Sequence, residues 1–482
     1  MKKWLVVSLI VLVVSKTYGQ NAWCGKSQTM LSSSAVYTNK EEQPFWFRVN
    51  KYGENPQKGS FFQLKLNHLN DYDSLFTPQK QLKKFSIGYG LTGLINISQN
   101  KTNLILSEAY IKVRLKNWEF YSGRRKEIFG LVDTINTSGS YIWSGNAFPM
   151  PKIQIHTPGY VPMGKKKLFS YNAGISHGWF GEDSVVQGHW LHQKWFYGKF
   201  GKPEANFHFS AGINHQVMWG GYSDILEDGT QYTSTINGYL APYPLYSYKY
   251  VLLPFLQKIV TPGQSKVPGY DGGLAIGNQL GSVDISLSLQ TDASRWLFYK
   301  QTPYDFARSL YHLNNIEDGL YGLTVQLKKG TFIKAITAEY FYSLSQGKYR
   351  FGKLQESNSG EIDNYFFHGQ YQSWSYKDNI LGNPFVIYEK DGQFRFNNRI
   401  KYVYILVTGT LSNKFGYKIK SCRSVNYGTY NNPIHLIQHN NLLTLNYLHK
   451  KNNLYQFDFA FDKGELYNSN VGLSLGYQFL FN

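Results

Sequence analysis

The final twelve residues constrain this chain more than any other stretch. One face reads Val471, Leu473, Leu475, Tyr477, Phe479 and Phe481; the other reads Gly472, Ser474, Gly476 and Gln478, then Leu480 and Asn482. Alternation with period two puts the large apolar side chains on one side of a strand and mostly small or polar groups on the other. A transmembrane barrel requires that division: one face meets lipid, the other a polar lumen, and no strand edge stays unpaired. Leu473, Leu475 and Phe479 are expected to face lipid, with Ser474 and Gln478 facing the lumen.

The other end of the chain points the same way. Lys2 and Lys3 precede an apolar run from Trp4 to Val14, and Thr17-Tyr18-Gly19 offers small residues where a signal peptidase reads. Residues 1–19 read as a secretory signal cleaved before Gln20. Cys24 does not mark a lipoprotein, because Trp23 precedes it where a small residue is needed. No later stretch reaches 18 consecutive apolar residues, so any crossing of a bilayer is made by strands. The expected location is the outer membrane, entered through the barrel-assembly machinery, with outer-membrane lipid and lipopolysaccharide as surroundings.

Composition supports a barrel. Aromatic residues make up 17% of the chain, yet mean hydropathy is only -0.38. A lipid face and two interfacial girdles need rings, while lumen and loops are polar. Net charge is +19, or +16 once Lys2, Lys3 and Lys16 leave with the signal (19 minus 3). In an exported protein that balance points to phosphorylated headgroups or an acidic polysaccharide, and not to nucleic acid. Cys24 and Cys422 are the only cysteines, and sequence alone does not pair them.

Alternation recurs along the chain. Examples are Phe85, Ile87, Tyr89 and Leu91; Phe207, Phe209, Ala211 and Ile213; and Val283, Ile285, Leu287 and Leu289 against Asp284, Ser286, Ser288 and Gln290. Charged or amide groups at every second place suit a wet lumen better than a sandwich core. At roughly 25 residues per strand and connection, the reading is an all-β transmembrane antiparallel barrel of about 18 strands. It places a mixed segment at 20–84, with first strands and short periplasmic helices, and the barrel proper at 85–482. Long loops are expected near 217–275, as a loop or constriction, and near 345–383, exposed.

Catalytic patterns do not cohere. Gly174-Ile175-Ser176-His177-Gly178 matches the serine-hydrolase elbow, but Ser176 continues a strand alternation and no helix follows. Residues 159–165 approach a phosphate-binding loop, but Pro162 interrupts it and Lys166 replaces the magnesium-binding hydroxyl. His189 and His192 would share a face of a helix, yet no metal-binding partner accompanies them. The expectation is no enzyme, no catalytic residues, no metal and no cofactor. An outer-membrane hydrolase is the weakest alternative.

Several ordered stretches resemble the Wzi-like capsule-assembly family of Bacteroidetes-type outer membranes. The fullest covers residues 123–163, with Gly123-Arg124-Arg125, Phe129-Gly130-Leu131 and the run from Ser138 through Trp143-Ser144-Gly145-Asn146 to Ile153. Pro44-Phe45-Trp46-Phe47, Leu191-His192-Gln193-Lys194, Trp219-Gly220-Gly221, Gln372-Ser373-Trp374-Ser375-Tyr376 and Leu381-Gly382-Asn383-Pro384 are similar to its other parts. The resemblance implies a lectin-like barrel that helps attach capsular or exopolysaccharide to the cell surface. Sugars stack on Trp or Tyr and give their hydroxyl or acidic groups to Asn and Arg. On residue type, Arg124, Arg125, Lys126, Trp143, Asn146, Trp374, Tyr376 and Asn383 are therefore candidate polysaccharide contacts, each with an equally ordinary structural role. A porin or nutrient channel is the alternative, since it needs the same wet lumen and aromatic bands.

Overall fold

The computed structural model describes residues 26–72, 85–182, 185–226, 228, 235–253, 276–305, 309, 313–329, 332–354, 363–388, 397–467 and 469–481. The signal segment, its cleavage point and Cys24 lie outside these. Among the described residues, eighteen antiparallel strands close into one barrel. The first six are β1 (Lys26–Thr38), β2 (Phe61–Asp71), β3 (Phe85–Ser98), β4 (Thr102–Leu115), β5 (Trp118–Arg124) and β6 (Pro151–His156, resumed at Val161–Met163). Next come β7 (Phe169–Trp179), β8 (Trp190–Phe200), β9 (Phe207–Trp219), β10 (Asn278–Gln290), β11 (Ser294–Tyr304) and β12 (Gly319–Leu327). The last six are β13 (Ala335–Tyr342), β14 (Ile400–Thr410), β15 (Phe415–Gly428), β16 (Pro433–Lys450), β17 (Asn453–Gly464) and β18 (Asn470–Phe481). Closure is made by β1 against β18, in register from Thr29 opposite Phe481 to Thr38 opposite Gly472.

The wall obeys the alternation. Along β3, Phe85, Tyr89, Leu91 and Ile97 are exposed on the outside, while Ser86, Thr92, Leu94 and Asn96 are buried within. In β18, Leu473 and Leu475 point out and Ser474 points in, as the sequence requires. Phe415, Tyr447, Tyr455 and Tyr477 form a ring-to-ring row on the outer face, with centroids 4.7, 6.3 and 5.1 Å apart in turn. That row is an interfacial girdle.

The two ends differ. Both chain ends share one rim with short turns such as 116–117, 291–293, 411–414 and 451–452. The opposite rim carries the long connections 39–60, 125–150, 220–277, 305–318 and 343–399. Short turns are periplasmic and long loops extracellular in such barrels, so the rim with the chain ends is the periplasmic one. The segment 20–84 thus supplies the first two strands of the barrel, which starts well before residue 85.

Helices appear on the outer-rim connections, not on the periplasmic side. Helix α1 (Phe45–Arg48) enters the lumen, with Phe45, Trp46 and Phe47 buried. Helix α2 (Pro244–Leu252) begins with proline at a position where the missing N–H costs nothing. It packs Tyr250 and Val251 on Val217 and Trp219, which face outward on β9, and Lys194 of β8 reaches its carbonyls at Val251 and Leu252. The described part of 217–275 therefore clasps the outside of the wall and does not constrict the lumen; residues 254–275 lie outside the described part.

Candidate functional site in the filled lumen

Three connections from the outer rim fold inward: residues 43–57, 129–150 and 363–388. Carboxylates on the inner wall hold them by their backbone N–H groups. Phe45 N donates to Asp462 of β17 at 2.7 Å, Leu131 N to Asp284 of β10 at 2.9 Å, and Ser138 N to Glu339 of β13 at 2.7 Å. Glu339 also receives Thr137 Oγ1 at 2.6 Å and Tyr299 Oη at 2.5 Å. A buried carboxylate is tolerated only when its lone pairs are taken, and here the inserts take them. Some inward polar positions that the sequence assigns to a wet lumen thus face protein.

The inserts are also tied to one another. Asn146 accepts Asn50 N at 3.1 Å through Oδ1 and donates Nδ2 to Ile380 O at 3.0 Å. Asn383 donates Nδ2 to Gly139 O at 3.1 Å and to Tyr402 Oη at 2.8 Å. Tyr52 N donates to Gly145 O at 2.8 Å, where φ is +78° and a Cβ would stand 2.7 Å from the Tyr52 ring, so only glycine fits. Rings complete the plug: Phe45 packs on Phe385 at 4.6 Å, Phe385 on Tyr402 at 4.2 Å, and Tyr402 on Phe341 at 5.0 Å.

The structure brings several candidate sugar contacts together, but inside this plug. Trp143, Asn146 and Asn383 are buried at its centre. Trp374 is 1% exposed and Tyr376 is buried, so the 363–383 part of the loop expected to be exposed is interior. Trp374 donates its N–H to Phe366 O at 3.2 Å and accepts Leu381 N at 2.9 Å. The basic triplet is absorbed as well. Arg124 lies over the Phe148 ring at 5.5 Å, Arg125 pairs with Glu119 at 2.6 Å, and Lys126 pairs with Glu54 at 2.5 Å and Glu108 at 3.5 Å. None of the eight offers a free platform at the surface.

The ion pairs set the charge states. Burial pushes the Glu54 carboxyl up, but Lys126 and Lys65 outweigh it and hold it below the usual carboxylate range. Glu127 is likewise pushed up by burial and pulled lower overall by Lys152, at 2.5 Å, and by Arg125. Lys126, desolvated by burial, is raised overall by Glu54 and Glu108. These groups are committed to one another.

The catalytic patterns dissolve in the strands. Ser176 lies buried on the inner face of β7, with Gln193 at 3.5 Å, whereas its neighbour His177 is on the outer face, 6.2 Å by ring centroids from Tyr248 of α2. Residues 159–165 form the break and end of β6 and the start of an exposed turn. His189 stacks on Phe180 at 4.2 Å before β8 begins, while His192 is within the strand, so they share no helix face. Cys422 is buried on β15.

Two accessible features escaped the sequence reading. The first is a cavity of about 310 Å³ between the insert at 125–131 and the inner wall of β6–β8, lined by His156, Tyr160, Asn172, Trp195 and Tyr197. The inward parity of Gln154, Asn172 and Trp195 would have predicted it. The second is the hairpin at 349–354 on the outer rim. It presents Phe351, 73% exposed, and exposed Tyr349, among Lys348, Arg350 and Lys353. Three cations and two rings in six residues were legible as a polyanion-binding composition.

Comparison with known proteins adds the fold. No protein-family model matches this sequence, and no curated protein sequence matches it. Among solved structures it resembles Escherichia coli Wzi, an outer-membrane protein involved in group 1 capsule assembly and a carbohydrate-binding β-barrel. The TM-score is 0.56 at 12% identity, over 95% of this chain and 85% of that one. Pseudomonas aeruginosa OprD matches at TM-score 0.46 and 8% identity, over 96% and 97%, and OccK5 at 0.45 and 10%, over 95% and 98%. The likeness is one of fold. This chain is an outer-membrane β-barrel.

Proposed function

We propose that this barrel binds or anchors a surface polysaccharide without altering it, in capsule or exopolysaccharide assembly. The observation that carries the reading is the filled lumen: three inserts bonded to the wall and to each other occupy the path a channel would need. The resemblance of residues 123–163 to the Wzi-like family and the fold likeness to Wzi lean the same way. The burial of Trp143, Asn146, Trp374, Tyr376 and Asn383 moves the contact surface off those residues and onto the rim hairpin, where Tyr349 and Phe351 stack on sugar faces and the cations meet acidic groups. Polymer and outer-membrane glycolipid are then the partners, and no cofactor is needed.

Deletion of the gene, followed by measurement of cell-attached and shed polysaccharide, tests the proposal. Polymer released to the medium with synthesis intact is the expected result. An unchanged coat with a new growth defect on particular nutrients, together with steady conductance of the purified protein in planar bilayers, defeats it in favour of a nutrient channel.

A further inference from the structure

On the outer face of β15–β17, three basic side chains stand side by side in one register row. Arg423 is opposite His439, and His439 is opposite Lys463. All three are exposed, and among the described residues none has a side-chain hydrogen bond or ion pair. Other wall cations differ: Lys194 is capped by the carbonyls of Val251 and Leu252, and Lys300 by that of Ile316.

The height of the row is informative. Tyr447 belongs to the periplasmic-side girdle, and His439 lies eight residues further up the same strand. At about 3.3 Å per residue and about 40° of tilt, the row sits roughly 20 Å above the girdle, near the top of an apolar band about 25 Å tall. Below it the outward residues turn apolar, with Leu443, Phe459 and Leu473 in register. The basic row therefore lies where outer-leaflet headgroups meet the wall.

A groove of about 500 Å³ opens there, lined by Ile437, His439, Asn441, Phe461, Lys463 and the Gly464–Glu465 turn. Its single carboxylate, Glu465, is engaged through Oε2 by Ile437 N at 3.0 Å. Apolar Phe461 and Ile437 suit an acyl chain or sugar face, and the basic row above suits phosphate. We propose that this groove is a binding site for the phosphorylated headgroup of an outer-leaflet glycolipid, with Arg423, His439 and Lys463 holding the phosphate. The site is independent of any polysaccharide function, since it lies outside the barrel.

Native mass spectrometry of the full protein in detergent, with diphosphorylated lipid A as probe, tests the site. The Arg423→Ser/His439→Ser/Lys463→Ser variant should retain roughly tenfold less lipid or lower still. Lys165→Ser/Lys166→Ser/Lys167→Ser, which removes similar charge from the exposed periplasmic turn, should bind as the parent does. Heat-dependent gel migration verifies that both variants fold. Unchanged retention by the first variant, equal loss in the second, or equal retention of fully dephosphorylated lipid A overturns the proposal. Displacement of the lipid by millimolar inorganic phosphate also overturns it, by making the site one for a free anion.

Discussion

The connection between β13 and β14 holds two aromatic, polar segments that look alike as sequence and behave oppositely in space. Residues 349–354 stand off the outer rim with Phe351 bare, while residues 363–388 descend into the barrel and bury Trp374, Tyr376 and Asn383. The difference lies in partners. The inner half finds matched groups on two other inserts and on the wall: Trp374 against Phe366 and Leu381, and Asn383 against Gly139 and Tyr402. The rim half finds mainly the Glu317 carboxylate, which accepts Phe351 N at 2.8 Å. Aromatic content alone does not decide whether a loop binds outward or packs inward.

Substitutions should separate the two halves sharply. Trp374→Ala empties a fully buried site and should cost about 3–5 kcal/mol of stability, read as a lower temperature for loss of the compact gel form. The same variant should raise conductance in planar bilayers, because the plug loosens; a silent variant would mean the inner half is not structural. Asn383→Ala leaves Gly139 O and Tyr402 without a donor and should cost about 1–3 kcal/mol in the same assay.

Acid should loosen the plug next. Glu54 and Glu127 ionise below the usual carboxylate range in the folded protein. Their contribution is therefore complete above an unfolded value of about 4.3 and is lost as pH falls through the lowered folded values. Thermal transitions measured from pH 6 to pH 3 should fall in the parent and fall less in Glu54→Gln. A flat profile would show that the ion pairs are energetically idle. The smallest stability effect belongs to the rim: Lys348→Ser/Arg350→Ser/Lys353→Ser should change stability by less than about 0.5 kcal/mol. It should nevertheless abolish salt-sensitive binding of an acidic polysaccharide in a pull-down. If binding survives there and fails in the inner half, the assignment of the two halves is reversed.

Much of the wall was legible in the sequence. Period-two alternation is a local signal, so the facing of β3 and β18 and a total near eighteen strands follow from short windows. The plug was not, because its bonds join segments far apart in the chain: Asn50, Asn146 and Asn383 lie in three different connections. Charge misled for the same reason. Arg125 and Lys126 read as a basic patch in a row of residues, while Glu119, Glu54 and Glu108, which neutralise them, come from other elements. The run from Ser138 to Asn146 was singled out as a sugar-contact region, and it is the place where the inserts are tied.

The seam between β1 and β18 has a consequence for the order of assembly. Thr29–Thr38 finds this partner only in residues 472–481, so the cylinder cannot shut until the last strand is in hand. Joining segments separated by most of the chain is slow, because the entropy of closing so long a loop is spent before any contact is gained. The inserts at 43–57, 129–150 and 363–388 all precede that moment, and the early strands can gather around them while the wall is still an open sheet. Sealing the seam then traps the filling in place, so a defect in the final strand should be felt as a late stall, with an interior already packed.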